Sequence, residues 1–189
     1  MNTETTRERL MLAAERIIRS RGYSAFSYAD LSEAVGLRKA SIHHHFPAKA
    51  DLGVALVEDY IARFREMLTD ITDAEQTAHG RLARYGGIYE AGLREGMLCL
   101  CGMLAAEATV LPEQVRHRMG TFFAAQLDWL EEVLAQGHTA REVTLRGPAR
   151  RAAEHVLSTL QGASLVGWGT GNPDLVARAV EDLLASLRS

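Results

Sequence analysis

One short run in the first quarter of this chain concentrates cationic, hydroxyl and imidazole groups. Arg38, Lys39, Ser41, His43, His44 and His45 are set around Ala40 and Ile42. Guanidinium, ammonium, hydroxyl and imidazole groups at this density suit the phosphate oxygens and base edges of a nucleic acid. The three histidines also raise metal binding. Successive helical residues project about 100° apart, however, so three neighbours cannot converge on one ion. No metal and no other cofactor is expected. A second chemical feature is Glu107, which shares a helical face with Leu100, Met103 and Leu104. An acid on an apolar stripe must be paired, protonated or turned to a cavity; an arginine partner and a ligand-binding role are the two readings. A third is the thiol pair Cys99 and Cys101. Two residues apart on a helix, they point to different faces, so neither a shared zinc ion nor a mutual disulfide is expected. They read as buried, inert cysteines or as an oxidisable sensor.

The cationic run needs a scaffold that presents it. Ser27 is a good N-cap, and Asp30 three residues on supplies the acidic half of a capping box, which predicts a helix over Tyr28–Val35. Gly36 accepts the left-handed backbone of a tight exit. A second helix follows over Lys39–His45 and cannot pass Pro47. Leu31, Val35, Leu37, Ile42 and Phe46 are spaced to share one small core, which leaves Arg38, Lys39, Ser41, His43 and His44 outward. Two helices joined by a short glycine turn form the unit that lays a recognition helix in the major groove of double-stranded DNA.

From Gly36 to Leu52 the sequence resembles the signature of the tetracycline-repressor (TetR) family of bacterial regulators. The likeness is carried by Gly36-Leu37-Arg38-Lys39-Ala40-Ser41-Ile42, then His44-His45-Phe46-Pro47 and Lys49. His43 departs from it, standing where the family usually has a tyrosine that touches a DNA phosphate. The resemblance implies a DNA-binding set of Ser27, Tyr28, Arg38, Lys39, Ser41, His43, His44 and Lys49. It also implies a homodimer through the last two helices and release from a palindromic operator by a small-molecule effector. Lys49 opens a further helix whose free amides and dipole suit a phosphate.

Composition is compatible with that reading. The chain has 189 residues, of which 47% are hydrophobic and 24% charged, with four prolines; leucine, alanine, arginine and glutamate dominate, favouring an all-helical fold. Net charge is −3 overall. Residues 1–50 nevertheless carry a net +3, and both lysines of the chain, Lys39 and Lys49, lie among them. A basic head on an acidic body fits a modular DNA-binding protein. No apolar run is long enough to span a membrane and the N-terminus does not read as a signal peptide, so a cytoplasmic protein is expected.

The rest of the chain predicts about nine helices. Thr5 and Glu8 form a capping box for the first, over 5–21, whose apolar face is Leu10, Ala13, Ala14, Ile17 and Ile18. Arg7, Arg9, Arg16, Arg19 and Arg21 lie off that face. A fourth helix is expected over about 49–70, a fifth from about Asp73 to Arg94, a buried helix over 97–111, and another over 112–136 capped by Gly137. Gly86-Gly87 marks a bend or a close helix contact. The last two helices start at Gly147-Pro148 and at Asn172-Pro173-Asp174. Their many apolar residues, with small Gly162, Ala163 and Ser164, can form a four-helix bundle with a second copy. His79, His117, His138 and His155 stand isolated.

The expected organisation is a three-helix helix-turn-helix domain over 1–48 and a helical ligand-binding and dimerisation domain over 49–189. Candidate ligand-binding residues in the latter are Tyr85, Tyr89, Met103, Glu107, Phe122, Phe123, Gln126 and Trp168, with Met97 and Trp129 nearby in the pattern. No phosphate loop, HExxH or Ser/His/Asp constellation appears, so an enzyme is not expected. Two alternatives remain: a regulator that senses thiol oxidation at Cys99 or Cys101, and a helical adaptor whose head binds protein.

Overall fold

The computed structural model describes residues 5–188, and among these the chain is all helix. The order is α1 (Thr6–Arg21), α2 (Tyr28–Val35), α3 (Lys39–His45), α4 (Lys49–Ala74), α5 (Ala78–Arg94), α6 (Leu100–Ala106), α7 (Glu113–Thr139), α8 (Ala149–Thr170) and α9 (Asp174–Ser186). Local signals set the first three helices as expected. Thr5 and Glu8 close a reciprocal capping box on α1. Ser27 and Asp30 do the same for α2, and Gly36 leaves it at φ 70°.

Two compact units form. The first contains residues up to Ala62 together with Leu100–Phe122. Its core is Leu10, Ala14, Ile18, Phe26, Leu31, Ile42, Phe46 and Leu52, with Leu104, Val115 and Phe122. Of the five residues expected to share the small core, Leu31, Ile42 and Phe46 are buried and Val35 and Leu37 half-buried. The unit that holds residues 1–48 therefore also takes in the first half of α4, all of α6 and the start of α7.

The second unit contains Arg63–Cys99 and Phe123–Ser189. Here α5, α8 and α9 pack together. Gly86 is the close approach on α5: a β-carbon there would collide with the Val180 side chain. Leu82, Val156, Leu160, Leu183 and Leu187 are buried in the same unit and line one small gap with Val180.

Several boundaries differ from the sequence reading. α4 runs on to Ala74, and α5 starts only at Ala78, because Thr77 caps it by accepting from the Gly80 amide at 3.1 Å. The stretch expected as one helix over 97–111 is helical only over Leu100–Ala106. Its continuation closes in short turns, Glu107 N to Leu104 O and Val110 N to Glu107 O, ahead of Pro112. Cys99 therefore precedes the helix that carries Cys101. Gly137 does not cap α7 but lies inside it, where Ala78 and Val143 leave no room for a side chain. Pro173, not Asn172, occupies the cap position of α9.

Candidate functional site

The helix-turn-helix is built from the inside out. Ile42 is fully buried on α3 and Phe46 nearly so, which fixes the rotation of this short helix. Arg38, Lys39, Ser41, His43 and His44 are then exposed, as their spacing requires. The Ser32 hydroxyl donates to the Leu37 carbonyl and braces the turn. An arginine of α1 closes it from below: Arg9 donates to the Val35 carbonyl at 3.1 Å. Arg7 stacks over the Phe46 ring at 5.1 Å. Both α1 arginines nearest the N-terminus thus have contacts within the head.

Tyr28 and His43 form a pair at the edge of this face. Their rings meet edge-on, 4.8 Å apart between centroids. The Tyr28 hydroxyl donates to the Phe46 carbonyl at 2.8 Å. Burial, then the charge of Asp51 and the neighbouring Tyr23, push this phenol up to about 12. His43 Nδ1 donates to the Pro47 carbonyl at 3.2 Å, which leaves Nε2 as the ring's remaining polar atom. Ser27 is exposed, but its hydroxyl oxygen accepts from the Ala29 and Asp30 amides at 3.2 and 3.3 Å. Its first role is therefore to cap α2.

Lys49 has a different position from the one its sequence context suggests. Its ammonium donates to the Tyr23 carbonyl at 2.6 Å and sits 4.3 and 5.3 Å from the centroids of Tyr23 and Phe26. Burial lowers its pKa, against the charges of Glu107 and Asp30. The amide at the start of α4 is also occupied, since Ala48 N donates to Asp51 at 2.9 Å. The Tyr23 carbonyl and the two ring faces hold the lysine against the head.

Glu107 likewise belongs to the head-bearing unit. It accepts from the Tyr23 amide at 2.7 Å and the Ser24 amide at 2.8 Å. Burial alone would raise its pKa, but the hydrogen bonds from Ser24 and Tyr23 and the Lys49 charge hold it below the ordinary carboxylate range. The partners that satisfy it are therefore two backbone amides, with the Lys49 charge nearby. Met103 packs near the same turn at Gly22. Phe122 is buried in that unit against Tyr60, 5.2 Å between rings.

Three other candidate ligand residues come together in the second unit. Tyr85 and Tyr89 both donate to Gln126 Oε1, at 2.7 and 2.9 Å, and their hydroxyls are 3.1 Å apart. Gln161 Nε2 donates to Tyr89 at 3.4 Å. Tyr85 and Gln126 are fully buried. Burial drives the Tyr85 phenol far above its ordinary pKa. Phe64 and Trp129 wall the cluster, 6.4 and 5.4 Å from the Tyr85 ring. Trp129 Nε1 is held by Thr72 Oγ1 at 3.0 Å. Phe123 is half-buried in this unit. Trp168 lies apart from the cluster, partly exposed beside a groove of about 310 Å³ with Leu93, Arg94 and Pro173. Gln161 was not singled out from the sequence; a lone amide on a long helix gives no signal until Tyr89 is placed beside it. Among the described residues no group of three metal-ligating side chains occurs, and no helix is long and apolar enough to cross a membrane.

Known proteins share both the head and the whole architecture. The sequence model of the family described as "Bacterial regulatory proteins, tetR family" matches residues 10–56. A solved TetR-family transcriptional regulator from Agrobacterium tumefaciens superposes with a TM-score of 0.94 at 32% identity, covering 97% of each chain. The transcriptional regulator AcuR of Cereibacter sphaeroides is 31% identical over 84% of this chain and 71% of its own. The HTH-type transcriptional repressor NemR of Escherichia coli is 27% identical over 87% of this chain and 86% of its own. With an outward cationic helix after a glycine turn, and relatives of this kind over most of its length, the chain belongs to the tetR family of bacterial regulatory proteins and is a helix-turn-helix transcriptional regulator.

Proposed function

We propose that the protein is a repressor that binds a palindromic DNA operator as a homodimer and is released by a small-molecule effector. Arg38, Lys39, Ser41, His43 and His44 read the DNA, with Ser27 and Tyr28 at the flank of the same face. The observation that carries this is the rotation of α3: Ile42 is fully buried while all five of these side chains are exposed. Two copies of α3 enter successive major grooves, about 34–36 Å apart. The similarity to NemR, a protein named as a repressor, supports the sign of regulation.

The second copy docks on α8 and α9. Support comes from large apolar side chains left open on α8, Leu165 at 58% and Val166 at 51% exposure. Gly162 and Gly169 stand one turn either side, with open space where a β-carbon would be. A stripe of this kind lets another helix approach closely. The effector binds at Tyr85, Tyr89 and Gln126. It favours a conformation of the dimer in which the two α3 helices no longer match the groove spacing, and it must bind that conformation more tightly than the other.

Duplex DNA containing the promoter beside the coding sequence tests the reading. Binding should weaken steeply with salt, because phosphate contacts release counterions. Lys39→Ala and His44→Ala should abolish specific binding while sedimentation still reports a dimer. Salt-insensitive binding, or loss of the dimer in these variants, would defeat it.

A further inference from the structure

The buried cluster of the second unit has one unanswered polar group. Gln126 is fully buried, and its Oε1 already accepts from both tyrosine hydroxyls. Its side-chain amide nitrogen has no hydrogen-bond partner. This orientation is the one that gives both phenolic protons an acceptor, so the N–H groups are what is left over. A buried donor left unmade costs about 1–3 kcal/mol, and such a group in a native fold calls for a reason.

We propose that the effector is a neutral molecule with an apolar body and a carbonyl-type oxygen, and that the oxygen accepts from the Gln126 side-chain amide. The inference rests on the reading of Tyr85, Tyr89 and Gln126 as the effector site and names the chemistry that site selects. An acceptor is required because the orphaned atom is a donor. Neutrality follows from the surroundings. The groups hydrogen-bonded to or packed on the cluster are phenols, aromatic rings and the Gln161 amide, with the Cys99 thiol near Tyr85. A carboxylate brought here would lose its water without gaining a counter-charge. An apolar body follows from the walls, Phe64, Tyr85 and Trp129.

The way in is also visible. Trp129 lines a surface groove of about 380 Å³ with Leu68, Thr72 and Ala125, and its ring lies against Tyr85. It thus touches both the groove and the cluster. The groove's charged residues, Arg65 and Asp73, are of opposite sign and favour neither a cation nor an anion. When Trp129 leaves the Thr72 hydroxyl, the apolar body takes its place in the groove and the oxygen reaches Gln126.

Calorimetric titration of the full chain with three six-carbon-ring probes decides this. Cyclohexanone carries the acceptor, cyclohexene lacks it, and cyclohexanecarboxylate carries it with a charge. Cyclohexanone should bind about tenfold tighter than either of the others. A triple variant, Gln126→Leu with Tyr85→Phe and Tyr89→Phe, removes the polar set together and leaves nothing orphaned; it should bind cyclohexanone and cyclohexene alike. If that variant does not fold, Gln126→Met with the same two phenylalanines removes the amide donors in an unbranched side chain of similar length and should lose the same preference. Equal binding of cyclohexene and cyclohexanone to the native chain, or tightest binding of the carboxylate, overturns the proposed chemistry and leaves the effector site standing. Preference for the ketone that survives in both variants overturns the role of Gln126. Binding of none of the three overturns the chemistry and the site together.

Discussion

The Glu107 carboxylate accepts from the backbone amide of Tyr23 at 2.7 Å, fastening the turn after α6 to the turn between α1 and α2. With the Ser24 amide on its other oxygen and Lys49 holding the Tyr23 carbonyl, both polar faces of that short turn are taken by side chains. The first helices of the head are thus anchored by residues far along the chain, and several consequences can be measured.

Glu107→Gln keeps one acceptor oxygen but loses the charge and should cost about 1–2 kcal/mol in thermal or urea unfolding at neutral pH. Because the folded pKa is lowered, the native carboxylate's contribution is complete above its unfolded pKa, about 4.3. It is lost as pH falls through the lower folded value. The gap in Tm between native and variant should therefore narrow only in acid. A gap that stays constant down to acid unfolding would contradict the latch.

Gly22 sits at φ 91°, and a β-carbon on it would run into Glu107. Gly22→Ala should cost about 1–3 kcal/mol, from the backbone conformation alone. It should also displace the carboxylate. In the Glu107→Gln background the cost of Gly22→Ala should change, since the two sites share one contact. Strict additivity would show that they act independently.

The two lysines should separate cleanly. On non-specific duplex, Lys39→Ala should reduce the slope of log affinity against log salt by about 1, and it should leave Tm unchanged. Lys49→Ala should leave the slope unchanged and lower stability by about 1–2 kcal/mol, since it removes a carbonyl contact and two ring contacts. The reverse pattern would return Lys49 to the DNA.

In alkali, at least three of the five tyrosines should resist ionisation. Tyr28 is raised to about 12, Tyr85 further, and Tyr23 is raised as well, burial being the main cause for all three. A raised phenol stabilises the fold fully below its unfolded value of about 10, and the benefit is lost as pH climbs toward the folded one. Phenolate absorbance should rise in at least two stages, the last coinciding with unfolding. A single transition near the ordinary value would refute the burial of Tyr85.

Thiol reactivity tests the oxidation-sensing alternative. Cys101 is fully buried and Cys99 only half-buried. Iodoacetamide on the native protein should reach Cys99 first and Cys101 only with denaturant. Sensing by Cys99 further requires that its labelling change DNA affinity; unchanged affinity would remove that alternative.

The sequence showed the helix-turn-helix nearly to the residue, because Ser27, Asp30, Gly36 and Pro47 act within one turn of themselves. It did not name the partners of Lys49 and Glu107, for the opposite reason. Lys49 meets the Tyr23 carbonyl across 26 residues, and Glu107 meets the same turn across 83 and 84. Local spacing could say that a charge needed a partner but could not say which. Gln126 meets Tyr85 and Tyr89 across 41 and 37 residues. All three were candidates on residue type, yet their hydrogen bonding, and the donor it leaves over, appears only when α5 and α7 are side by side. Gly137 makes the same point: tight neighbours exclude a side chain there and it marks no helix end, whereas Gly86 is a close helix contact of the kind its sequence suggested.

The placement of lysine has a practical side. Every lysine amine in the sequence belongs to the head, and Lys49 is tied to Tyr23, which leaves Lys39 as the exposed one. Lysine-directed dyes, cross-linkers and coupling surfaces will therefore act first on α3, the helix proposed to read DNA. Immobilisation by such chemistry would blunt the activity it was meant to record, and immobilising the duplex instead would spare it.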